Sequence, residues 1–342
     1  MKKLISNNIY RWRTFRNRKM LQSDYSAQYA FVGVGSHALQ NLYPILQYLG
    51  IKLKYICCKS SDKLELIKRR FGVKATTSLD EILNDSDVKG VFVCTSPQQH
   101  YEICTRVISS GKYLFIEKPP CRTLQQLEKL IEIDTQQKVM VGMQKRHSPL
   151  INILKNHLTK TDIISYTLTY HTGAYPEGDP LTDLFIHPVD MVAYLFGSAK
   201  KISIQHTDQN YAVTIQGLLS HDNIKGFIEL STAYSWTNSE ELLRVNTTSG
   251  EYRLNQMEKL LYTPHPKKII GIPVDKLGLF STSEQILMER NNFNPIKENN
   301  QLYTQGFFSE IKAFLNMVEH SGKNVSSLAN MRNAYIILEF LK

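Results

Sequence analysis

Between residues 29 and 142 short apolar runs alternate with longer stretches in which apolar residues recur at helical spacing. The runs Tyr29–Val32, Leu53–Cys57, Gly90–Cys94, Tyr113–Ile116 and Lys138–Gly142 have the length and near-continuous hydrophobicity of strands buried on both faces. Helices are expected in between: onward from Ala38 through Leu49, from about Asp62 to Phe71 before Gly72, from Leu79 to Asn84, and from Pro97 to Ser110 before Gly111. A further helix starts at Thr123, where Thr123 and Gln126 have capping-box spacing. Strands alternating with helices predict a parallel sheet with right-handed crossovers. Residues 27–146 therefore read as a doubly wound α/β domain.

The pattern changes after Ser148-Pro149. Alternating apolar and polar positions at 163–170, 201–206, 211–218, 225–230, 242–247 and 251–254 predict strands of an antiparallel sheet with one solvated face. An apolar helix is expected across Asp183 to Phe196, and amphipathic helices across 307–320 and 328–341. Residues 264–304, rich in Asn, Pro and Lys, read as a long surface excursion. Residues 147–342 are thus expected to form an α+β domain, and residues 1–26 an arm outside both.

Composition adds two constraints. The net charge of +10 is concentrated: the first 24 residues hold seven Lys or Arg and one acid, which leaves only +4 for the rest. The arm also carries Ile9, Tyr10, Trp12 and Phe15. It reads as a flexible extension packing these aromatics on its own domain or a subunit neighbour, with a short helix docking on an anionic membrane or a partner as the alternative. No nucleic-acid-binding signature accompanies it. No run approaches the roughly 18 apolar residues of a membrane span, and no apolar core of a secretory signal is visible. Five cysteines without a CxxC pair fit reduced thiols in a cytoplasmic protein.

The candidate chemistry begins at Gly33-Val34-Gly35-Ser36-His37-Ala38, a GxGxxA turn between a strand and a helix. There Gly33 permits the tight turn, Gly35 admits a pyrophosphate beside bare backbone, and Ala38 allows close helix packing. Ser36 and His37 complete the expected contact surface. At the second strand end an acid ordinarily selects NAD through the ribose hydroxyls. Lys59 and Ser60 stand there instead, which suits the 2′-phosphate of NADP, with NAD as the alternative. Thr95, Pro97 and His100 follow the third long strand, and Glu117-Lys118-Pro119-Pro120 terminates the fourth, placing a cation at a carboxyl end where ligands bind in such sheets. Asp183 and His187 share a face if one helix covers both. Read on their own, Asp183 and His187 fit a helix cap with a structural histidine; for hydride-transfer chemistry His187 is the candidate acid/base, oriented by Asp183, and Lys118 the donor to the reacting oxygen or itself the acid/base. Lys145 and Arg146 are candidate clamps for a substrate anion, with solvated surface cations as the alternative. Tyr175, with Tyr170 and His171 upstream of Asp183, is a candidate substrate-pocket residue, with sheet-edge packing as the alternative. No third ligand at metal-site spacing joins His187, so no metal is expected.

These motifs, in this order, resemble the glucose–fructose oxidoreductase/inositol dehydrogenase (Gfo/Idh/MocA) family. They include Gln144-Lys145-Arg146 and Asp183-x-x-x-His187-x-x-Asp190-x-x-x-Tyr194-Leu195-x-Gly197, and the resemblance covers about residues 27–342. It implies a Rossmann domain and a second domain whose open sheet often builds dimers or tetramers. It also implies NAD(P)-dependent hydride transfer at a carbon of a sugar, cyclitol or nucleotide sugar. Lys118 would lie near the nicotinamide, with Asp183 and His187 on the substrate side. Phe185 stands where a glycine is common, and His147 where Phe or Tyr is. The competing readings are a non-catalytic NAD(P)-binding regulatory protein and a reductase of an imine or C=C bond.

Overall fold

The computed structural model describes residues 2–209, 212–278, 281–291, 293 and 296–342. Helix α1 (Lys2–Leu21) precedes a run of strands and helices: β1 (Gln28–Val32), α2 (Tyr43–Tyr48), β2 (Lys52–Cys57), α3 (Leu64–Phe71), β3 (Lys74–Thr76), α4 (Leu79–Leu83), β4 (Val88–Val93), α5 (Pro97–Ser109), β5 (Tyr113–Glu117), α6 (Leu124–Ile133) and β6 (Val139–Gly142). The sheet order β3-β2-β1-β4-β5-β6 with parallel pairing is the doubly wound arrangement. Helices can cover both faces of such a sheet, which is why β1, β4 and β5 are almost wholly buried.

The remaining chain supplies α7 (Pro149–Leu158), β7 (Ile163–His171), α8 (Ile186–Phe196), β8 (Lys200–Gln209), β9 (Ala212–His221), β10 (Ile224–Ser231), β11 (Glu240–Thr247), β12 (Gly250–Asn255) and β13 (Lys259–Pro264). It continues through the two-residue strands β14 (Lys268–Ile269) and β15 (Ile272–Pro273), then β16 (Gln285–Glu289), α9 (Gln301–Thr304), α10 (Phe307–Glu319) and α11 (Arg332–Phe340). Eight strands order as β16-β13-β12-β11-β7-β10-β9-β8, antiparallel except for the β7/β10 pair. Helices α8 and α11 pack together, and the Phe196 ring stacks on Tyr166 of the sheet at 4.3 Å. Thr167, Gln216 and Arg244 stand exposed between buried neighbours in their strands.

Two expectations change here. Residues 264–304 contain a small hairpin and β16, whose pairing with β13 makes it a sheet edge. Lys259–Pro264 buries the adjacent Leu260 and Leu261, which breaks the two-residue alternation, and Gln285–Glu289 is the exposed edge strand, where packing selects apolar residues weakly. Second, the arm is helical over Lys2–Leu21, and its Ile5, Ile9, Tyr10, Trp12, Phe15 and Leu21 side chains are exposed rather than packed on the body. The expected 211–218 strand begins at Ala212; Tyr211 lies outside the described residues.

The chain divides into two compact units that interleave in sequence. The first comprises Met1–Glu117, Gln136–Met140 and Ile311–Asn324, and the second the rest. A cut at 26/27 and 146/147 therefore does not separate them. The physical reason lies in α10: Phe314 packs edge-on against Phe92 at 4.9 Å and Phe115 at 5.8 Å, completing the core of the first unit. Glu319 of the same helix accepts hydrogen bonds from the N–H groups of Ser26 and Ala27 and the hydroxyl of Tyr29. Among the described residues no helix is long and apolar enough to cross a membrane.

In the second unit His147 is buried with its Nε2 3.1 Å from the Ser326 hydroxyl. Burial, assisted by the neighbouring Arg146, pushes its pKa down to about 4. Between an ordinary histidine's roughly 6.5 and that value, the unfolded chain binds a proton that the folded chain refuses. Stability is therefore full above about pH 6.5 and falls toward pH 4, by on the order of 3 kcal/mol. His147→Gln is expected to flatten that slope. Urea midpoints at pH 7 and 4.5 measure it, and an unchanged pH difference would refute the assignment.

Candidate active site

In doubly wound sheets ligands bind beyond the carboxyl ends of the strands where the order reverses, here between β1 and β4. A cavity of about 570 Å³ sits there, within the first unit. Its lining joins Gly33, Gly35, Ser36 and His37 to Cys58, Lys59 and Ser60 after β2 and to Cys94, Thr95 and Ser96 after β4. Gly33 has φ +114°, and a Cβ on it would lie 2.0 Å from the Cys94 carbonyl oxygen. Only glycine fits. At Gly35 the reverse holds: an added Cβ meets nothing within 4 Å, so the backbone faces open space on the cavity side. That bare backbone is the cradle a dinucleotide pyrophosphate requires. The Tyr43 hydroxyl donates to the Gly33 carbonyl at 3.1 Å and fixes the turn from behind.

Beyond the end of β2 the cavity is lined by Lys59, Ser60 and Lys63, with Thr77 and Arg106 also on the lining. Lys59 and Lys63 are exposed, and Arg106 reaches Asp80 at 2.6 Å. The first acid after β2, Asp62, does not line the cavity. Its carboxyl is held below the ordinary range chiefly by a hydrogen bond from the Ser60 side chain. Lys63, Thr77, Gln99 and Arg106 were not singled out from sequence. Lys63 carries a faint signal, four residues beyond Lys59; Arg106 carries none, because only the fold brings α5 to the end of β2.

Other expected cofactor residues act at one remove. Ala38 is fully buried, which is its packing role, and does not line the cavity. His100 is buried with Nε2 3.0 Å from the Thr95 carbonyl oxygen, so it holds the lining in place. Pro97 occupies the first turn of α5, where its missing N–H costs nothing. Glu117 is buried, its carboxylate 3.4 Å from the His37 ring.

The second unit begins at Lys118, whose peptide to Pro119 is cis. The Lys118 ammonium donates to the Asp183 carbonyl at 2.5 Å. Asp183 lies in a widened helical turn, Leu181–Phe185, directly before α8, and His187 follows in that helix. Lys118 is thereby held at the turn that leads into the helix carrying His187. The Asp183 carboxylate accepts the Asp179 N–H at 3.2 Å. Gly178 is squeezed between that carboxylate and the Tyr175 ring, since a Cβ on it would lie 2.3 Å from Asp183 Oδ2 and 2.8 Å from Tyr175 Cε1. The Tyr175 hydroxyl is raised above its ordinary pKa by burial first, then by Asp183 and Glu177, so it is a proton-bearing donor at neutral pH.

Lys145 and Arg146 are engaged elsewhere, which corrects their reading as an anion clamp. Arg146 grips Asp190 through Nε at 2.8 Å and Nη2 at 2.6 Å, and also donates to the carbonyls of Val325 and Asn330. Four of its five N–H donors are thereby used in a buried setting. Lys145 is ion-paired with Glu241 and lies over the Tyr170 ring. Sequence spacing exposes a Lys-Arg pair after a strand but not the acids that consume it. His171 is likewise held, 2.7 Å from Glu229 and stacked on Tyr234.

Residues 27–145 match the model of a family described as "Oxidoreductase family, NAD-binding Rossmann fold" (GFO_IDH_MocA). Among curated proteins the chain is 27% identical over 177 residues to a putative oxidoreductase, YceM, of Salmonella typhimurium, covering 50% of this chain and 57% of that one. It is 22% identical over 194 residues to an inositol 2-dehydrogenase of the same species, covering 53% and 57%. The chain thus spans little more than half the length of these two relatives. A solved levoglucosan dehydrogenase in complex with NADH and levoglucosan superposes with a TM-score of 0.76 at 16% identity, covering 92% of this chain and 96% of that one. That likeness is one of fold.

Proposed function

We propose, from the premise that residues 27–145 belong to the NAD-binding oxidoreductase family GFO_IDH_MocA, that the whole chain is an NADP-dependent oxidoreductase. Its substrate in this reading is a carbinol or carbonyl carbon of a sugar, cyclitol or nucleotide sugar. The observation that carries the reading is the Lys118 ammonium held on the Asp183 carbonyl one helical turn before His187. Such a trio meets two requirements of the chemistry. Lys118 donates to the reacting oxygen and stabilises negative charge on it. His187 takes or returns the hydroxyl proton, since an imidazole exchanges protons near neutral pH. Tyr175 and Asp183 offer a donor and an acceptor for further hydroxyls. The nicotinamide, when bound, supplies or accepts the hydride.

The open backbone at Gly35 and the cavity around it suit the pyrophosphate, and Lys59, Ser60 and Lys63 suit the 2′-phosphate of NADP. Lys59→Ala with Lys63→Ala is expected to weaken NADPH binding about tenfold or more while NADH binding stays within a few-fold. Fluorescence titration with both cofactors measures this, and equal losses for the two would favour NAD as the natural cofactor. The inositol and levoglucosan dehydrogenases among the similar proteins support the sugar or cyclitol class. We also place the protein in the cytoplasm, consistent with five free cysteines, and as a homo-oligomer, consistent with the exposed strand face that carries Leu218.

The deciding test is a single-turnover absorbance assay at 340 nm with NADP or NADPH against panels of sugars, cyclitols, nucleotide sugars and their keto forms. Oxidation or reduction of a member of these panels supports the reading. Cofactor binding with turnover of none of them would point to the non-catalytic alternative, and turnover confined to imines or activated alkenes to the third.

A further inference from the structure

The most uneven charge in the chain lies outside both sites just described, and the inference drawn from it does not depend on them. Helix α1 runs twenty residues, about 30 Å, and contains seven Lys or Arg with no acid. On a helical wheel Ile5, Ile9, Trp12 and Phe15 fall within an arc of about 120°, which they share with Asn8, Arg16 and Lys19, while Tyr10 and Leu21 lie on the other side. All four are largely uncovered, Ile9 at 46% and Phe15 at 69% exposure. The first unit therefore leaves this stripe unburied. Exposed apolar residues in a row imply an occupant.

The cations define that occupant. Arg11 and Arg18 flank the stripe beside Phe15, Arg13 flanks it beside Ile9, and Arg16 sits within it, all four exposed. The Arg16 guanidinium folds over the Trp12 ring at 4.7 Å, joining an apolar ring to a charge that reaches past it. A groove on an acidic protein would bury the stripe and meet charge along its rim. A cation inside the stripe, able to snorkel, suits a flat surface with apolar depth and negative headgroups. Nucleic acid would use the charge but leave Ile5, Ile9 and Phe15 without a partner. The tether is firm: Ser23 donates to the Leu49 carbonyl at 2.8 Å, and the Tyr25 hydroxyl to Asn316 at 2.9 Å. The helix is thus anchored to the folded first unit two residues after it ends.

We propose that α1 is an interfacial helix that docks this protein on anionic lipid surfaces, lying flat with Ile5, Ile9, Trp12 and Phe15 at the headgroup–acyl boundary and its arginines on acidic headgroups. The occupant is the bilayer. No residue of the helix belongs to the cofactor or Lys118 sites, so docking fixes where the enzyme works rather than how.

The test uses the full chain with vesicles of phosphatidylcholine alone or with about 30% phosphatidylglycerol. Co-sedimentation is expected only with the anionic vesicles and is expected to fall steeply with salt. In a Trp236→Phe background, Trp12 is the sole tryptophan, and its emission should shift to the blue on binding. Replacing Arg11, Arg13, Arg16 and Arg18 together by Gln is expected to weaken partitioning by about 100-fold or more. Trp12→Ser with Phe15→Ser is expected to weaken it about tenfold or more. Because the stripe is exposed, both variants should keep wild-type NADPH binding and a wild-type melting curve. Equal binding to neutral vesicles would overturn the proposal, as would no binding to either. Loss of an oligomer in these variants without any vesicle binding would assign the stripe to a second copy of the chain.

Discussion

Lys118→Ala is expected to lower kcat by roughly 10²–10⁴-fold while NADPH affinity stays within a few-fold of wild type. The size follows from what is removed. A preorganised ammonium contributes to the barrier when it meets charge that develops on the substrate oxygen, and methyl in its place leaves that charge to water. The expected asymmetry follows from position: Lys118 does not line the cofactor cavity and belongs to the other unit. Its ammonium is oriented by the Asp183 carbonyl, which alanine also vacates, so a small rise in KM should accompany the loss. Lys118→Arg keeps the charge but not the compact geometry, and partial recovery is expected. Stopped-flow reduction of NADP with the substrate found in the panels measures kcat directly. Unchanged turnover in the alanine variant would remove Lys118 from the mechanism, and lost NADPH binding would move it to the cofactor site.

Asp190→Ala is expected to cost about 3–5 kcal/mol of stability. Asp190 is 1% and Arg146 3% exposed, and among the described residues Asp190 is the only carboxylate partner of that guanidinium. Removing the acid leaves a charge in the interior compensated only in part, by the carbonyls of Val325 and Asn330 and the face of the Tyr194 ring. A double variant, Asp190→Leu with Arg146→Met, is expected to recover much of the loss, because a buried ion pair owes its apparent worth largely to the penalty of breaking it. Chemical denaturation of the three variants decides this. A fully additive double variant would show that the two residues do not act as a pair.

The strands and helices of the first unit were readable because parallel strands buried on both faces leave unbroken apolar runs, and because Gly33 and Ala38 each answer a steric demand that few other residues meet. Asp183 and His187 were readable as a pair by spacing, and Lys118 by its place at a strand end. What escaped is instructive. Lys145 and Arg146 look like free cations in a linear reading because Glu241 and Asp190 are 96 and 44 residues away. Lys63 and Arg106 reach the cavity only through the packing of their helices. The far edge of the second sheet was hidden because edge strands satisfy fewer packing constraints. Helix α1 was legible only as the alternative to a flexible extension, because a mixture of arginines and aromatics satisfies helical, extended and disordered patterns alike.

The rings of Phe92 and Phe115 meet Phe314 from a segment nearly two hundred residues downstream. The nucleotide-binding half is therefore not a transferable module. A fragment ending near residue 146 would expose those rings and lose the carboxylate of Glu319 that binds Ser26, Ala27 and Tyr29. Gene fusions or recombination events that exchange one half at a single junction should yield aggregating chimeras.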